Sequence, residues 1–175
     1  NGRNGTVAGA TWTAAGKSNG ALSFDGTNDS VNLPFVLNPS ATNFTAAGWI
    51  KTDTTAKQII LQQLDGSGTG RAWLYLNNSF LKTHIGGSAT ASSNTLSTNT
   101  WYHIVVVKNG TNIKLYVNGV ERASTTRTAE SSTGAMKVGA SKFSTEWFNG
   151  TIDQLRIYDS ALSAADISAL HNSGQ

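Results

Sequence analysis

From Ala21 to Tyr158 the chain runs in short stretches of alternating apolar and polar residues, separated by clusters of Asn, Asp, Gly, Ser and Thr. Alternation with a period of two is the mark of a half-buried strand, because successive side chains leave a strand on opposite faces. Two Asn-Gly pairs, at 109–110 and 118–119, fit tight turns that need positive φ. One stretch departs from this pattern. Ser163 followed three residues later by Asp166 reads as a capping box, Leu162 and Ile167 are placed for a hydrophobic staple, and Asn172 and Gly174 supply a stop. The expectation is an all-β fold, a two-sheet antiparallel β-sandwich with one short C-terminal helix. A length of 175 residues suits a single domain over 1–175 with a real core.

Composition narrows the functional classes. Cysteine is absent, which removes disulfides and thiol chemistry. Thirteen Lys and Arg against ten Asp and Glu give a net charge of +3, but the basic residues are scattered singly. No run is dense enough for a nucleic-acid or membrane partner, and no apolar stretch approaches the ~20 residues of a membrane span. Asn1 opens a polar, glycine-rich stretch with no signal peptide, as expected of a module cut from a larger secreted protein. Trp12 in this opening stretch reads as a packing residue.

Two features raise the question of a metal. The turn Asp25-Gly26-Thr27-Asn28-Asp29 holds hard oxygen ligands of the kind calcium uses, although plain turns select the same residues. Asp153 alternates with Leu155 and Ile157 on one face of a strand, opposite Ile152, Gln154, Arg156 and Tyr158. A carboxylate on an apolar face needs a cation or several donors.

A third feature points to a ligand. If 71–76 and 81–85 form a hairpin with Leu76 opposite Leu81, Tyr75 falls opposite Lys82 and Trp73 opposite His84. Arg71, Trp73, Tyr75, Lys82 and His84 then form an outward stripe. Aromatic faces flanked by donors suit a sugar ring, whose C–H face stacks while its hydroxyls are hydrogen-bonded. The other reading is that the aromatics cover apolar side-chain stems. Trp147, near Lys142 and Glu146 in the loop 141–147, is a further candidate contact. The glycine-rich stretch 65–70 reads as a hairpin connection, since it lacks the Gly-Lys-Ser/Thr ending and following helix of a phosphate-binding loop.

Catalytic patterns are missing. The three glutamates, Glu121, Glu130 and Glu146, have no neighbouring carboxylate in sequence to make an acid–nucleophile pair. There is no paired histidine spacing for zinc. The chain is expected not to be an enzyme.

Four segments in order resemble laminin-G-like, concanavalin-A-like jelly-roll modules: ALSFDGTNDSVNLP at 21–34, FTAAGWIKTD at 44–53, NTWYHIVVVKNGTNIKLYVNGVE at 99–121 and FNGTIDQLRIYDSALSAADISALHN at 148–172. The resemblance implies that Trp101 and His103 are packing residues. It also implies a structural calcium near the first and last strands, held by Asp25, Asn28 and Asp153. Together with the stripe, it leads to a non-catalytic carbohydrate-binding module that binds a poly- or oligosaccharide. Such a module is expected to be monomeric and extracellular, and to tether a covalently linked polysaccharide-degrading catalytic domain. A cell-surface adhesion or protein-recognition module, or a structural spacer, is the alternative.

Overall fold

The computed structural model describes residues 4–34, 36–64, 70–141 and 145–174. Most of the expected glycine-rich connection at 65–70, and Lys142, lie outside them. The strands in chain order are β1 (Thr6–Ala8), β2 (Thr11–Thr13), β3 (Ala21–Asp25), β4 (Ser30–Leu33), β5 (Phe44–Thr52), β6 (Gln58–Leu64) and β7 (Gly70–Asn77). They continue with β8 (Phe80–Thr83), β9 (Thr90–Thr95), β10 (Trp101–Asn109), β11 (Asn112–Val117), β12 (Val120–Thr126), β13 (Met136–Val138) and β14 (Asn149–Tyr158). The helix α1 (Ala164–Ser173) follows. Two antiparallel sheets result. The first runs β1-β4-β13-β6-β7-β8-β9 and the second β12-β11-β10-β5-β14-β3-β2. This is the expected sandwich.

The turn at 25–29 does more than join two paired strands. β3 belongs to the second sheet and β4 to the first, so the turn carries the chain between layers. The central hairpins match the sequence pattern. Val117 pairs with Val120 around Asn118-Gly119, both at positive φ. Leu76 pairs with Leu81 and Tyr75 with Lys82, around Asn78 and Ser79 at φ 51° and 67°. Between the two leucines Asn77 also pairs with Phe80, so only residues 78 and 79 form the turn.

Strict alternation fails in the middle of the first sheet. Ile59 pairs with Tyr75, Leu61 with Leu74 and Gln62 with Ala72, so Ile60 and Trp73 are each an extra residue in their strands. These two bulges compensate one another. Their consequence is that neighbours share a face: Ile60 with Leu61, and Trp73 with Leu74, all enter the core between the sheets. Trp73 is fully buried there and stacks on Phe44 of the opposite sheet, centroids 4.1 Å apart and planes inclined by 23°. Trp73 is therefore not the outward platform that alternation predicts. Among the described residues, Ile59, Ala72 and Tyr75 form a small buried apolar cluster on the outer face.

A further irregularity moves residues between faces on β14. Asp153 pairs with Trp49 and Arg156 with Ala47, leaving Gln154 and Leu155 against Gly48 alone. Gln154 takes φ 49° to make the offset. Asp153 thus faces outward beside Trp49, whereas Leu155 and Ile157 pack against the core. The expected single face of Asp153, Leu155 and Ile157 does not exist.

The outer face of the second sheet is covered by α1. Ser163 Oγ accepts from the Asp166 backbone N–H at 3.2 Å, and Asp166 Oδ2 accepts from the Ser163 N–H at 3.0 Å, completing the capping box. Ile167 is buried against Ala47, Val105, Val107 and Tyr116, with Leu162 packed alongside. At the helix end His171 stacks on Trp49 at 5.4 Å, and Gly174 sits so close that a Cβ would lie 2.4 Å from Trp49 Nε1. His103 packs against both rings, as expected of a packing residue. Trp101, by contrast, is half-buried, with Lys51 Nζ 5.4 Å from its ring centroid.

Two measurements check this packing. Trp73→Ala should destabilise the fold by about 3–5 kcal/mol in urea titrations, because it empties the contact between the sheets. Burial, with smaller contributions from His171 and Arg156, lowers the His103 pKa to about 4. Between that value and its unfolded value near 6.5 only the unfolded chain takes up the proton, so stability is full at neutral pH and falls as pH drops through this window. At about 1.4 kcal/mol per pH unit the loss is roughly 3 kcal/mol at most. His103→Gln should flatten that dependence.

Candidate functional site

With Trp73 turned inward, the outer face of the first sheet is organised around Tyr75. Its ring is only 2% exposed, and its Oη lies 3.3 Å from His84 Nε2. His84 reaches this position because its backbone N–H bonds to Ala72 O at 2.9 Å, bypassing the bulged Trp73. Lys57 Nζ stands 6.0 Å from the Tyr75 ring centroid and forms an ion pair with Glu146 at 2.5 Å. Glu146 comes from the connection before β14, which is fastened to β6 by the Ile59 N–H bonding to Glu146 O at 3.2 Å. Lys57, Ile59, Gln62, Ala72, Tyr75, His84 and Glu146 together line a cleft of ≈ 170 Å³. Beside His84, Arg71 Nε lies 3.9 Å from Glu130, whose other oxygen accepts the Gly86 N–H at 3.0 Å.

The electrostatics suit a neutral hydrogen-bonding surface. Burial, with the Glu146 charge adding to it, pushes the Tyr75 phenol up to about 12, so it stays protonated. Burial and the adjacent Lys57 and Arg71 charges lower the His84 pKa, against the smaller opposing pull of Glu146 and Glu130. Between a neutral imidazole and a phenol, one hydrogen bond is shared. Whichever atom donates it, one donor and one acceptor are left over. Such a pair answers a sugar hydroxyl, which itself both donates and accepts.

Of the stripe expected from the sequence, Tyr75 and His84 are brought together in the cleft, and Arg71 stands next to them. Lys82 is half-buried across the ladder from Tyr75, and Trp147 is half-buried immediately after Glu146. Trp73 is absent from the site for the reason given above. Lys57, Gln62 and Glu130 escaped the sequence reading. They sit on other strands and loops, and only the β6-β7-β8 order and the bulges bring them to one face.

The residues expected to hold calcium do not come together. Asp25 pairs with Asn149, four residues from Asp153 along β14 and so about 13 Å away at the usual strand rise. Asp25 Oδ1 accepts from the Thr27 N–H at 2.8 Å and Asn28 is exposed, which is ordinary turn chemistry. Asp153, 6% exposed, accepts from the Ser18 N–H at 2.9 Å. Among the described residues no group of three or more acidic, His or Cys side chains is placed to hold a metal. The set Asp25, Asn28 and Asp153 therefore does not fit calcium.

A second concavity lies at one edge, between β1 and β4 of the first sheet and β2, β3 and β14 of the second. Its volume is ≈ 410 Å³. Trp12 borders it and is 71% exposed, rather than packed inside as the sequence suggested.

The family model described as the concanavalin A-like lectin/glucanases superfamily matches residues 25–168. Domain 4 of the GH43 extracellular arabinanase AbnA of Geobacillus stearothermophilus, solved with arabinotriose, is similar in fold: TM-score 0.74 and 21% identity, covering 95% of this chain and 87% of that one. The binding domain of Paraclostridial Mosquitocidal Protein 1 gives TM-score 0.76 at 19% identity, and this chain spans 47% of it. Trypanosoma rangeli sialidase, solved with sialic acid, gives 0.79 at 18%, with 98% of this chain and 30% of that one aligned. Among curated proteins nothing matches by sequence.

Proposed function

The chain belongs to the concanavalin A-like lectin/glucanases superfamily, and we propose that it is a non-catalytic carbohydrate-binding module of a secreted protein. In this reading it holds a covalently attached polysaccharide-degrading domain at its glycan, raising local concentration without adding chemistry. The observation that carries the reading is the Tyr75–His84 cleft, with Tyr75 in its wall and matched donors and acceptors beside the segment carrying Glu146. The arabinanase domain solved with arabinotriose supports it as a fold precedent. Glu146 and Glu130 lie beside Lys57 and Arg71, which suits them to accepting sugar hydroxyls rather than to acid and nucleophile roles.

Protein recognition is the second reading, favoured by exposed Trp12 and Val7 along the edge concavity. A glycan array followed by calorimetry separates the two. Tyr75→Phe and His84→Ala should each weaken glycan binding about tenfold, the worth of roughly one hydrogen bond, with little change in melting temperature. Trp12→Ala should leave glycan affinity unaltered. Loss of glycan binding in Trp12→Ala, with Tyr75→Phe unaffected, would move the site to the edge.

A further inference from the structure

Resting on the glycan-binding reading of the same cleft, we infer that it takes one terminal residue of an uncharged glycan. Size gives the first argument. A void of ≈ 170 Å³ is about half the lower end of ligand pockets, near ~300 Å³, so it has room for a single ring and not for a chain of them.

Its flanks give the second. The segment carrying Glu146 is pinned across the sheet face by the backbone bond to Ile59 and by the Lys57–Glu146 ion pair. Near His84, Glu130 is held by Arg71 and by the Gly86 N–H. A polysaccharide passing through in both directions would have to clear these structures. One entering by its end would not.

Charge gives the third argument. Two cations beside His84 and Tyr75 stand next to carboxylates, Lys57 beside Glu146 and Arg71 3.9 Å from Glu130, while Lys82 stands across the ladder from Tyr75. A sugar carboxylate would compete with those glutamates for the same cations while facing their repulsion, at short range where Coulomb terms are large. A neutral sugar meets neither cost, and the carboxylates become acceptors for its hydroxyls. The lowered His84 pKa agrees, since burial and the neighbouring cations keep that ring uncharged at neutral pH.

The test is calorimetric titration of the whole chain with arabinotriose, xylotriose, cellotriose, mannotriose and trigalacturonate, at low and high salt. For each trisaccharide that binds, the shorter and longer oligomers and forms blocked at either end are then compared. The expected result is binding of a neutral trisaccharide, with affinity insensitive to salt. Affinity should change less than about tenfold beyond the disaccharide, and should be lost when one particular end is blocked.

Preference for trigalacturonate with salt-dependent affinity would overturn the uncharged assignment. Undiminished binding of oligomers blocked at both ends would overturn the terminal one. In either case, weaker binding by Tyr75→Phe would leave the glycan-binding reading of the cleft standing. If no saccharide in the panel binds, or if binding is indifferent to both Tyr75→Phe and His84→Ala, the glycan reading of the cleft fails and this inference fails with it.

Discussion

Trp73 and Leu74, adjacent in β7, both point into the space between the sheets, and much else follows from that pairing. A strand without a bulge sends neighbours to opposite faces. The extra residue at Trp73, matched by one at Ile60 in β6, delivers a large ring to Phe44 of the other sheet and ties the layers at their centre. The same offset leaves the outer face of the sheet with small Ala72 beside Tyr75, and draws His84 back to bond to Ala72. Without the bulge Trp73 would stand where the cleft now opens. Core packing and the site thus share one cause.

The second sheet uses the opposite solution for its outer face. There Trp49, His103 and Asp153 form a row across β10, β5 and β14, and the chain closes over them. Loop residues 17 and 18 contribute from one side, with Lys17 Nζ 4.7 Å from the Trp49 ring centroid and the Ser18 N–H on Asp153. Helix α1 contributes from the other through His171 and Gly174. Helix packing buries this face, while on the first sheet the segment carrying Glu146 covers Ile59 and leaves a cleft beside Tyr75 and His84. That asymmetry is why a ligand is placed on the first sheet.

The parts of this arrangement that were readable in the sequence are those set by local chemistry. Ser163 and Asp166 marked the helix start because a capping box needs only four residues. Leu76, Leu81, Tyr75 and Lys82 fixed the hairpin register because only one pairing put leucine on leucine. The bulges were not readable. Trp73 is flanked by apolar residues, so shifting it to the inner face leaves no polar mismatch in sequence. Asp153 made the same point in reverse, since its apparent conflict with Leu155 and Ile157 came from assuming unbroken alternation. The strands β9 and β12 carry little signal of their own, because TASSNT and VERASTT have few apolar residues to alternate with polar ones. The cleft partners Lys57, Gln62 and Glu130 were beyond reach for a different reason: their meeting depends on strand order, which no local pattern encodes.

The most direct test of the glycan cleft is a backbone and side-chain NMR shift map of the chain during titration with the neutral trisaccharides. The account predicts the largest perturbations at Tyr75, His84, Lys57, Gln62 and Glu146, with Trp12 and the residues beneath α1 silent. Perturbations centred on Trp12 and Gln154 at the sheet edge, with Tyr75 and His84 unmoved, would contradict it.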